Sequence, residues 1–424
     1  MRDDEWDVIV IGGGAAGLSG ALTLARAQRR VLVLDAGLPR NRYAAHMHGV
    51  LGHDGLPPEE LLRRGRGEVT ASGGVLRTGV VTDLAPRGAD GLLVLTTAEG
   101  ERLRARAVLV TTGLVDELPE VPGLVQRWGR DVVGCPYCHG AEVAGRPLAV
   151  VASGPTGVHH ATLIRQWSED VTFFSHLAGE VDADALDGFA ARGVRVVTDP
   201  VERLEIAGDA VTGVVAGGVT YPVEAVFTGA TFRPQDDLLR RAGVELVDGP
   251  MGVSVGAVEM GRTSVPGIYA AGNVTNLGGS VPIVMGEAVA AAAMLNADLV
   301  MLDVAAARAE RERARRWEEI YDERGGARWS GRPNVTLAAL AADWEPGSLL
   351  DLGAGEGGDS LWFAERGWRV TAVDISPTAL GRARAEAERR GLAADAVAWV
   401  RADLVTWRAP ETYDLVSAQF LQDR

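Results

Sequence analysis

Short, uninterrupted apolar runs alternate with glycine-rich turns and helix-like segments along most of this chain, the pattern of parallel strands buried on both faces. Residues 8–11 form the first run, which enters Gly12-Gly13-Gly14-Ala15-Ala16-Gly17; a helix is expected from Leu18, and the next run, 31–34, stops at Asp35. The unit recurs without gaps at an offset of 140 residues, so that 147–175 aligns with 7–35. A third strand–glycine–helix–strand succession occupies 349–374, and 413–416 reads as a further strand. Residues 108–113 end in Thr111-Thr112-Gly113, and 225–230 echo them. Residues 266–274 predict a strand and turn through Ala270-Ala271-Gly272-Asn273. The most apolar run, 280–302, holds Glu287, Asn296 and Asp298 and reads as a buried helix rather than a membrane span. From 305 to 324 Arg and Glu interleave, as in a solvated connecting helix, before Gly325-Gly326 loosens the chain.

The first unit is G-x-G-x-x-G in the setting that gives it meaning, between a strand and a helix with an acid about 20 residues on. Gly12 allows the tight turn, Gly14 lets a pyrophosphate approach the backbone, and Gly17 lets the helix pack closely. The helix N-terminus supplies amide donors, and Asp35 can hold ribose hydroxyls. In the second unit Gly154 and Gly157 keep two of these places. The first glycine is Ala152, however, and the acid is Ser175, with no Arg between it and Arg192 to meet a 2′-phosphate. A nicotinamide-type fold is expected there with thin recognition chemistry.

Only two cysteines occur, in Gly134-Cys135-Pro136-Tyr137-Cys138-His139-Gly140. Closing so short a loop stabilises a fold by about 2 kcal/mol, against about 4.7 for a 100-residue loop, so the pair reads as a redox couple rather than a staple. Half a zinc site is the alternative, but there is no second C-x-x-C in the sequence, and no metal is expected. His139 adjoins a reacting sulfur and titrates near neutrality, which suits proton transfer; a loop histidine capping a helix is the bland reading. His46, His48 and His53 fall in a loop after Asp35 and read as ordinary polar residues, with a flavin or substrate pocket as the sharper option. His159 and His160 receive no role.

The 424 residues suffice for about three domains, and 47% hydrophobic with 23% charged residues is an ordinary globular composition. A net charge of −15 argues against nucleic-acid binding. There is no lysine, which removes P-loop and Schiff-base chemistry. The acidic start reads as no signal peptide, and a cytoplasmic location without membrane association is expected.

Over roughly the first 300 positions, the order of glycine motif, Thr-Thr-Gly, C-x-x-C, second dinucleotide fold and Ala-Ala-Gly-Asn resembles the low-molecular-weight thioredoxin reductases. These are FAD-dependent pyridine-nucleotide-disulfide oxidoreductases. The resemblance implies a discontinuous FAD domain (1–114 and 246–300) and an inserted NAD(P)-type domain (115–245) carrying the cysteines, with rotation between them. It implies FAD on Gly12, Gly14, Gly17, Asp35, Gly113, Gly272 and Asn273, and NADP(H) on Gly154 and Gly157. It further implies Cys138 beside flavin, Cys135 toward substrate, and a homodimer. Two departures matter: His139 and Asn273 stand where that family has Asp. The Cys-Pro-Tyr-Cys-His-Gly form is more similar to gliotoxin- and holomycin-type dithiol oxidases, which pass electrons through FAD to oxygen.

In the third unit the glycines of Leu349-Leu350-Asp351-Leu352-Gly353-Ala354-Gly355-Glu356-Gly357 resemble motif I of class I S-adenosylmethionine-dependent methyltransferases. That resemblance implies Gly353, Gly355 and Gly357 beside the methionine part, Asp351 at its amino group, Asp374 at the ribose and Asp403 at the adenine. The sequence stops at Arg424, where a complete fold of that family would need about three more strands, so the module is expected to be partial. The whole is α/β: two Rossmann-like three-layer domains, a charged linker (301–330) and a partial Rossmann-like methyltransferase domain (331–424). The expected function is a thioredoxin reductase-like oxidoreductase acting on a thioredoxin-like protein or a small dithiol or disulfide, with NAD(P)H as donor. An oxygen-dependent dithiol oxidase, and a methyltransferase regulated by a flavin module, stand beside it.

Overall fold

The computed structural model describes residues 4–88, 90–256, 259–322 and 331–419. Gly325-Gly326 therefore lies outside the described residues. The chain divides into two compact units, Met1–Leu299 and Val300–Arg424.

Four parallel strands of the first unit, Glu5–Ile11, Val31–Asp35, Arg102–Val110 and Ile268–Ala270, have their C-terminal ends along one edge of a seven-stranded sheet. Arg102–Val110 shows how the sequence sets this up. Its first half alternates exposed and buried positions and pairs antiparallel with Leu93–Thr97. Its last four residues are all buried, and they pair in parallel with strands on both sides. The helix Ala15–Arg26 lies against this sheet on Ala16, Gly17, Gly20, Ala21 and Leu24.

A second parallel sheet holds five strands in the order Arg195–Val197, Val171–Phe174, Leu148–Val151, Ala225–Thr228 and Val132–Val133. An antiparallel ribbon, Leu114–Glu117 with Thr231–Pro234, lies where the chain passes between the two halves in each direction. Arg40 bonds Asp116 of this ribbon at 2.8 and 2.6 Å and lies over the Phe232 ring.

The apolar run expected to be a buried helix belongs to one long helix, Val281–Asp322. The expectation of burial holds for one face only. Val284, Ala288, Ala291, Ala292, Leu295 and Leu299 are buried in the core with Val8, Val10 and Leu109. Ile283, Gly286, Val289, Ala293 and Ala297 face outward. Alanine and glycine on both faces flatten the helical periodicity that would otherwise have marked the exposed side. The helix is long and apolar enough to cross a membrane by length and composition, a test that a core helix also passes.

In the second unit the strands run Val397–Arg401, Arg369–Asp374, Ser348–Leu352 and Leu415–Ser417, all parallel. Numbered by sequence this is 3-2-1-4, the order of a doubly wound nucleotide-binding sheet. The helix Val335–Leu340 precedes this sheet in the chain, capped by Asn334, whose side chain accepts from the Thr336 and Leu337 N–H groups.

Candidate active site

The first glycine loop and the distant motifs meet at the C-terminal edge of the first sheet. Gly12 has φ +106°, and a Cβ there would lie 2.5 Å from the Thr111 carbonyl oxygen. A Cβ on Gly17 would lie 1.8 Å from the Gly12 oxygen, so the loop closes only with glycine at both positions. A Cβ on Gly14, by contrast, meets nothing within 4 Å: that position faces an open cradle, where a phosphate could sit against bare backbone. The Thr111 hydroxyl donates to the Ile11 and Gly12 carbonyls at 3.0 and 3.1 Å. Asp35 stands at its strand end and accepts from the Gly37 N–H at 3.1 Å. Gly113 and Gly272 both adopt positive φ, and a Cβ on Gly272 would reach the Ala16 side chain at 2.9 Å. Asn273 turns its amide inward, donating to the Asn276 and Gly279 carbonyls at 2.8 and 2.9 Å. These residues fit a dinucleotide laid from Asp35 across Gly14 toward Gly272 and the start of the long helix.

The second loop follows strand Leu148–Val151 with the same plan and different chemistry. A Cβ on Gly157 would lie 2.5 Å from that of Ala152, so the close helix packing survives. The helix begins only at Gly157, preceded by Thr156, whose side chain makes no capping bond, whereas the first begins at Ala15. Position 155, aligned with Ala15, is proline and offers no N–H to a phosphate. Beyond Ser175, His176 sits at φ +36°, and its Nδ1 accepts from the Val201 N–H at 3.1 Å. Leu177, Ala178, Gly179 and Glu180 follow, where a 2′-phosphate would need cations. His160 is turned inward, edge-on to Phe227 at 6.0 Å. Burial lowers its pKa to about 4, partly opposed by the Gly134 main chain.

Cys135 and Cys138 are joined by a disulfide at the C-terminal end of strand Val132–Val133, on the same sheet edge as the second glycine loop. Cys135 precedes the one-turn helix Pro136–His139, and Pro136 at its first position presets the turn. Tyr137 is exposed and stacks edge-on to Trp167 at 5.6 Å. Gly140 is held by packing, since a Cβ would lie 2.5 Å from the Pro136 oxygen and 2.7 Å from Trp167 Nε1. His139 is mostly buried, which lowers its pKa; the Cys135 main chain and Glu142 raise it, and His48 lowers it further. Its imidazole is therefore held in the neutral form that can take a proton from a thiol.

His46 and His48, read from sequence as ordinary loop residues with a flavin or substrate pocket as the sharper option, line a cavity of about 190 Å³ together with His139 and Glu142. Nothing local could have revealed this, because the loop and the cysteine segment are some 90 positions apart. Of the remaining histidines singled out, His53 does not line that cavity, and His159 does not either.

In the second unit the expected acids converge and each has protein partners. Asp351 is fully buried and accepts from the Ser360 hydroxyl at 2.6 Å; desolvation, with Asp359 and Asp374 nearby, pushes its pKa up to about 7. Asp374 accepts from the Gly355 and Ser376 N–H groups at 2.8 and 2.9 Å. Asp403 accepts from Arg313 at 2.7 Å and from the Val405 N–H at 3.0 Å. Glu318, on the same helix as Arg313, accepts from the Ser376 hydroxyl and the Thr378 N–H at 2.7 and 3.0 Å. Gly353, Gly355 and Gly357 all have positive φ, a backbone conformation that favours glycine, and a Cβ on Gly357 would lie 2.9 Å from the Trp399 ring.

Residues 6–294 match the family model "Pyridine nucleotide-disulphide oxidoreductase", and residues 349–423 match "Methyltransferase domain". Among curated proteins, Thioredoxin reductase sirT of Leptosphaeria maculans is 30% identical over 292 residues, 63% of this chain and 86% of the relative. Among solved structures, HlmI superposes with a TM-score of 0.70 at 41% identity, covering 74% of this chain and 98% of that one. An oxidoreductase from Agrobacterium tumefaciens gives 0.66 at 37% identity over 70% and 99% of the two chains. The family implies FAD for the first unit and the methyltransferase match implies S-adenosylmethionine for the second. The chain belongs to the pyridine nucleotide-disulphide oxidoreductase family, as a thioredoxin reductase-like FAD-dependent disulfide oxidoreductase that also carries a methyltransferase domain.

Proposed function

We propose that the oxidoreductase unit is a dithiol oxidase that closes a disulfide in a small dithiol and delivers the electrons to oxygen, without NADPH. The second glycine loop supports this reading most directly. Pro155 replaces an amide donor, Ser175 replaces the ribose acid, and Leu177 to Glu180 bring no cation. A substrate thiolate attacks Cys135, the Cys135–Cys138 bond breaks, and Cys138 leaves as thiolate. The second substrate thiol then displaces Cys135 and closes the product disulfide. His139 takes the thiol protons. Gly12, Gly14, Gly17, Asp35, Gly113, Gly272 and Asn273 would hold FAD, which when bound would supply a two-electron acceptor for the reduced cysteine pair.

An anaerobic titration of flavin absorbance tests this. A dithiol should bleach the flavin, air should restore it with peroxide formed, and NADPH or NADH should do little. Stoichiometric bleaching by NADPH would turn the reading back to a reductase serving a thioredoxin-like protein.

The outward stripe of Ile283, Gly286, Val289, Ala293 and Ala297 supports a homodimer, in which small residues let a second copy approach closely. Replacing Ala293 with Glu should then yield monomer on gel filtration. For the second unit, Gly353, Gly355, Gly357, Asp351, Asp374 and Asp403 would hold S-adenosylmethionine. A methyl group would pass to a thiolate of the same small dithiol, capping it as a thioether instead of closing it. Labelled cofactor that yields no labelled thioether would remove that part.

A further inference from the structure

The loop after Asp35 brings His48 up to the segment that carries the cysteines. His48 lies between carboxylates from both halves of the unit: Nδ1 is 3.4 Å from Asp54 Oδ2, and Nε2 is 3.3 Å from Glu142 Oε1. Glu142 lies in the turn Ala141–Val143, directly after the cysteine helix. Asp54 is exposed and anchored by the Gly49 N–H at 2.8 Å. His139 Nδ1 is buried without a hydrogen-bond partner among the described residues.

The charged and titratable groups lining the 190 Å³ cavity are His46, His48, Arg130, Asp131, His139 and Glu142. Asp131 is taken by Arg127 at 2.7 and 2.6 Å and by the Val211 N–H at 2.8 Å, and Arg130 pairs with Asp209. His46, His48, His139 and Glu142 remain. Among the described residues no group of three or more His, Cys, Asp or Glu side chains has the geometry to hold a metal ion. The cavity is large enough for several waters, and these four side chains bring polar atoms to a wall whose apolar part is formed by Ala45, Val133, Val143 and Ala225. It joins the half-buried His139 to Glu142, which is itself exposed, and through Glu142 to His48 and the exposed Asp54.

We infer that His48 and Glu142 form a proton relay between His139 and solvent, with Asp54 orienting His48. The inference rests on the reading of the cysteine pair as a dithiol-oxidising centre and gives it a missing part. Each dithiol that reduces Cys135–Cys138 releases two protons as its two thiols become one disulfide, while the two cysteine sulfurs take the electron pair as thiolates. One imidazole holds one proton. It must discharge before the second thiol reacts, and the route across the cavity leads to Glu142, His48 and Asp54.

The test uses the full-length holoprotein with dithiothreitol as the probe dithiol, comparing wild type with His48→Gln and Glu142→Gln. Oxygen-coupled turnover should fall about 10-fold or more in each variant at pH 7, with the deficit shrinking above pH 9, where hydroxide takes the proton directly. Added imidazole should restore part of the His48→Gln rate. Flavin content and melting temperature should stay as in wild type. A second readout needs neither flavin nor oxygen: the pH profile of iodoacetamide alkylation of the reduced cysteines, which both variants should displace. Profiles that overlay wild type overturn the relay, as does a pH-independent loss without imidazole rescue. Displaced profiles in a protein whose wild type consumes no dithiol with oxygen would keep the relay and remove the oxidase reading.

Discussion

The two glycine loops of the first unit share one plan and carry different residues on it. Gly17 and Gly157 both let a helix close on its strand, and a Cβ at either would strike a neighbour, at 1.8 and 2.5 Å. That glycine serves packing, and both loops keep it. The positions that serve a ligand have diverged: Gly12 against Ala152, Ala15 against Pro155, Asp35 against Ser175. Even the helices differ inside. Gly20 lets the first press onto Leu109, where its Cβ would lie 2.6 Å from Cδ2; the aligned residue of the second is His160, edge-on to Phe227. On the dithiol-oxidase reading proposed above, a nucleotide fold can outlive nucleotide recognition, because the sheet needs only the packing glycine while a phosphate needs free amides and charge.

The comparison can be broken at several points, the most damaging first. Gly17→Ala should give no FAD-loaded protein, since the new methyl would sit inside the Gly12 carbonyl, which is backbone and cannot step aside. Gly157→Ala should fold less stably yet retain FAD after gel filtration. Equal loss of FAD in both would mean that the loops are not functionally distinct.

Acid should expose His160 next. Its folded pKa of about 4 lies below the ordinary 6.5, so the unfolded chain binds the extra proton between those values. Its contribution is present above pH 6.5 and is lost as the pH falls toward 4, up to about 3 kcal/mol. Burial of His139 and His176 acts in the same direction, so the measurement is a difference: urea unfolding at pH 7 and pH 4.5 of wild type and His160→Gln. The variant should lose less stability than wild type on acidification.

Asp35→Ser, which makes the first loop resemble the second, should weaken FAD by about 1.5–3 kcal/mol, roughly 10- to 100-fold, in a titration of apoprotein. Ser175→Ala should leave dithiol turnover unchanged. The smallest effect is expected at Gly154, whose Cβ position is open. Alanine there should alter stability and turnover less than 2-fold, whereas Gly14→Ala should fold normally and bind FAD poorly. A turnover defect in Gly154→Ala would restore a role for the second cradle.

Much of this was legible because it is local. A strand, three glycines, a helix start and an acid lie within 30 positions, and sterics alone tie them to one geometry; the same holds for residues 349–374. The cysteine pair was legible because only two cysteines exist. The one-sided exposure of the long helix was hidden by alanine on both faces. The partners of His48 and Asp403 were hidden for another reason. Glu142 and Arg313 lie some 90 residues away from them, and no periodicity links such pairs.

The sequence alone determined the three strand–glycine–helix units, the acids at two of their strand ends and the single redox-capable cysteine pair, because backbone sterics and residue chemistry act over a few neighbours. Tertiary structure decided which carboxylates are already engaged, which face of the long helix is buried, and that a loop histidine from one half meets a glutamate beside the cysteines of the other. Those outcomes depend on how sheets and loops pack. Packing joins residues by distance in space, which their distance along the chain does not reveal.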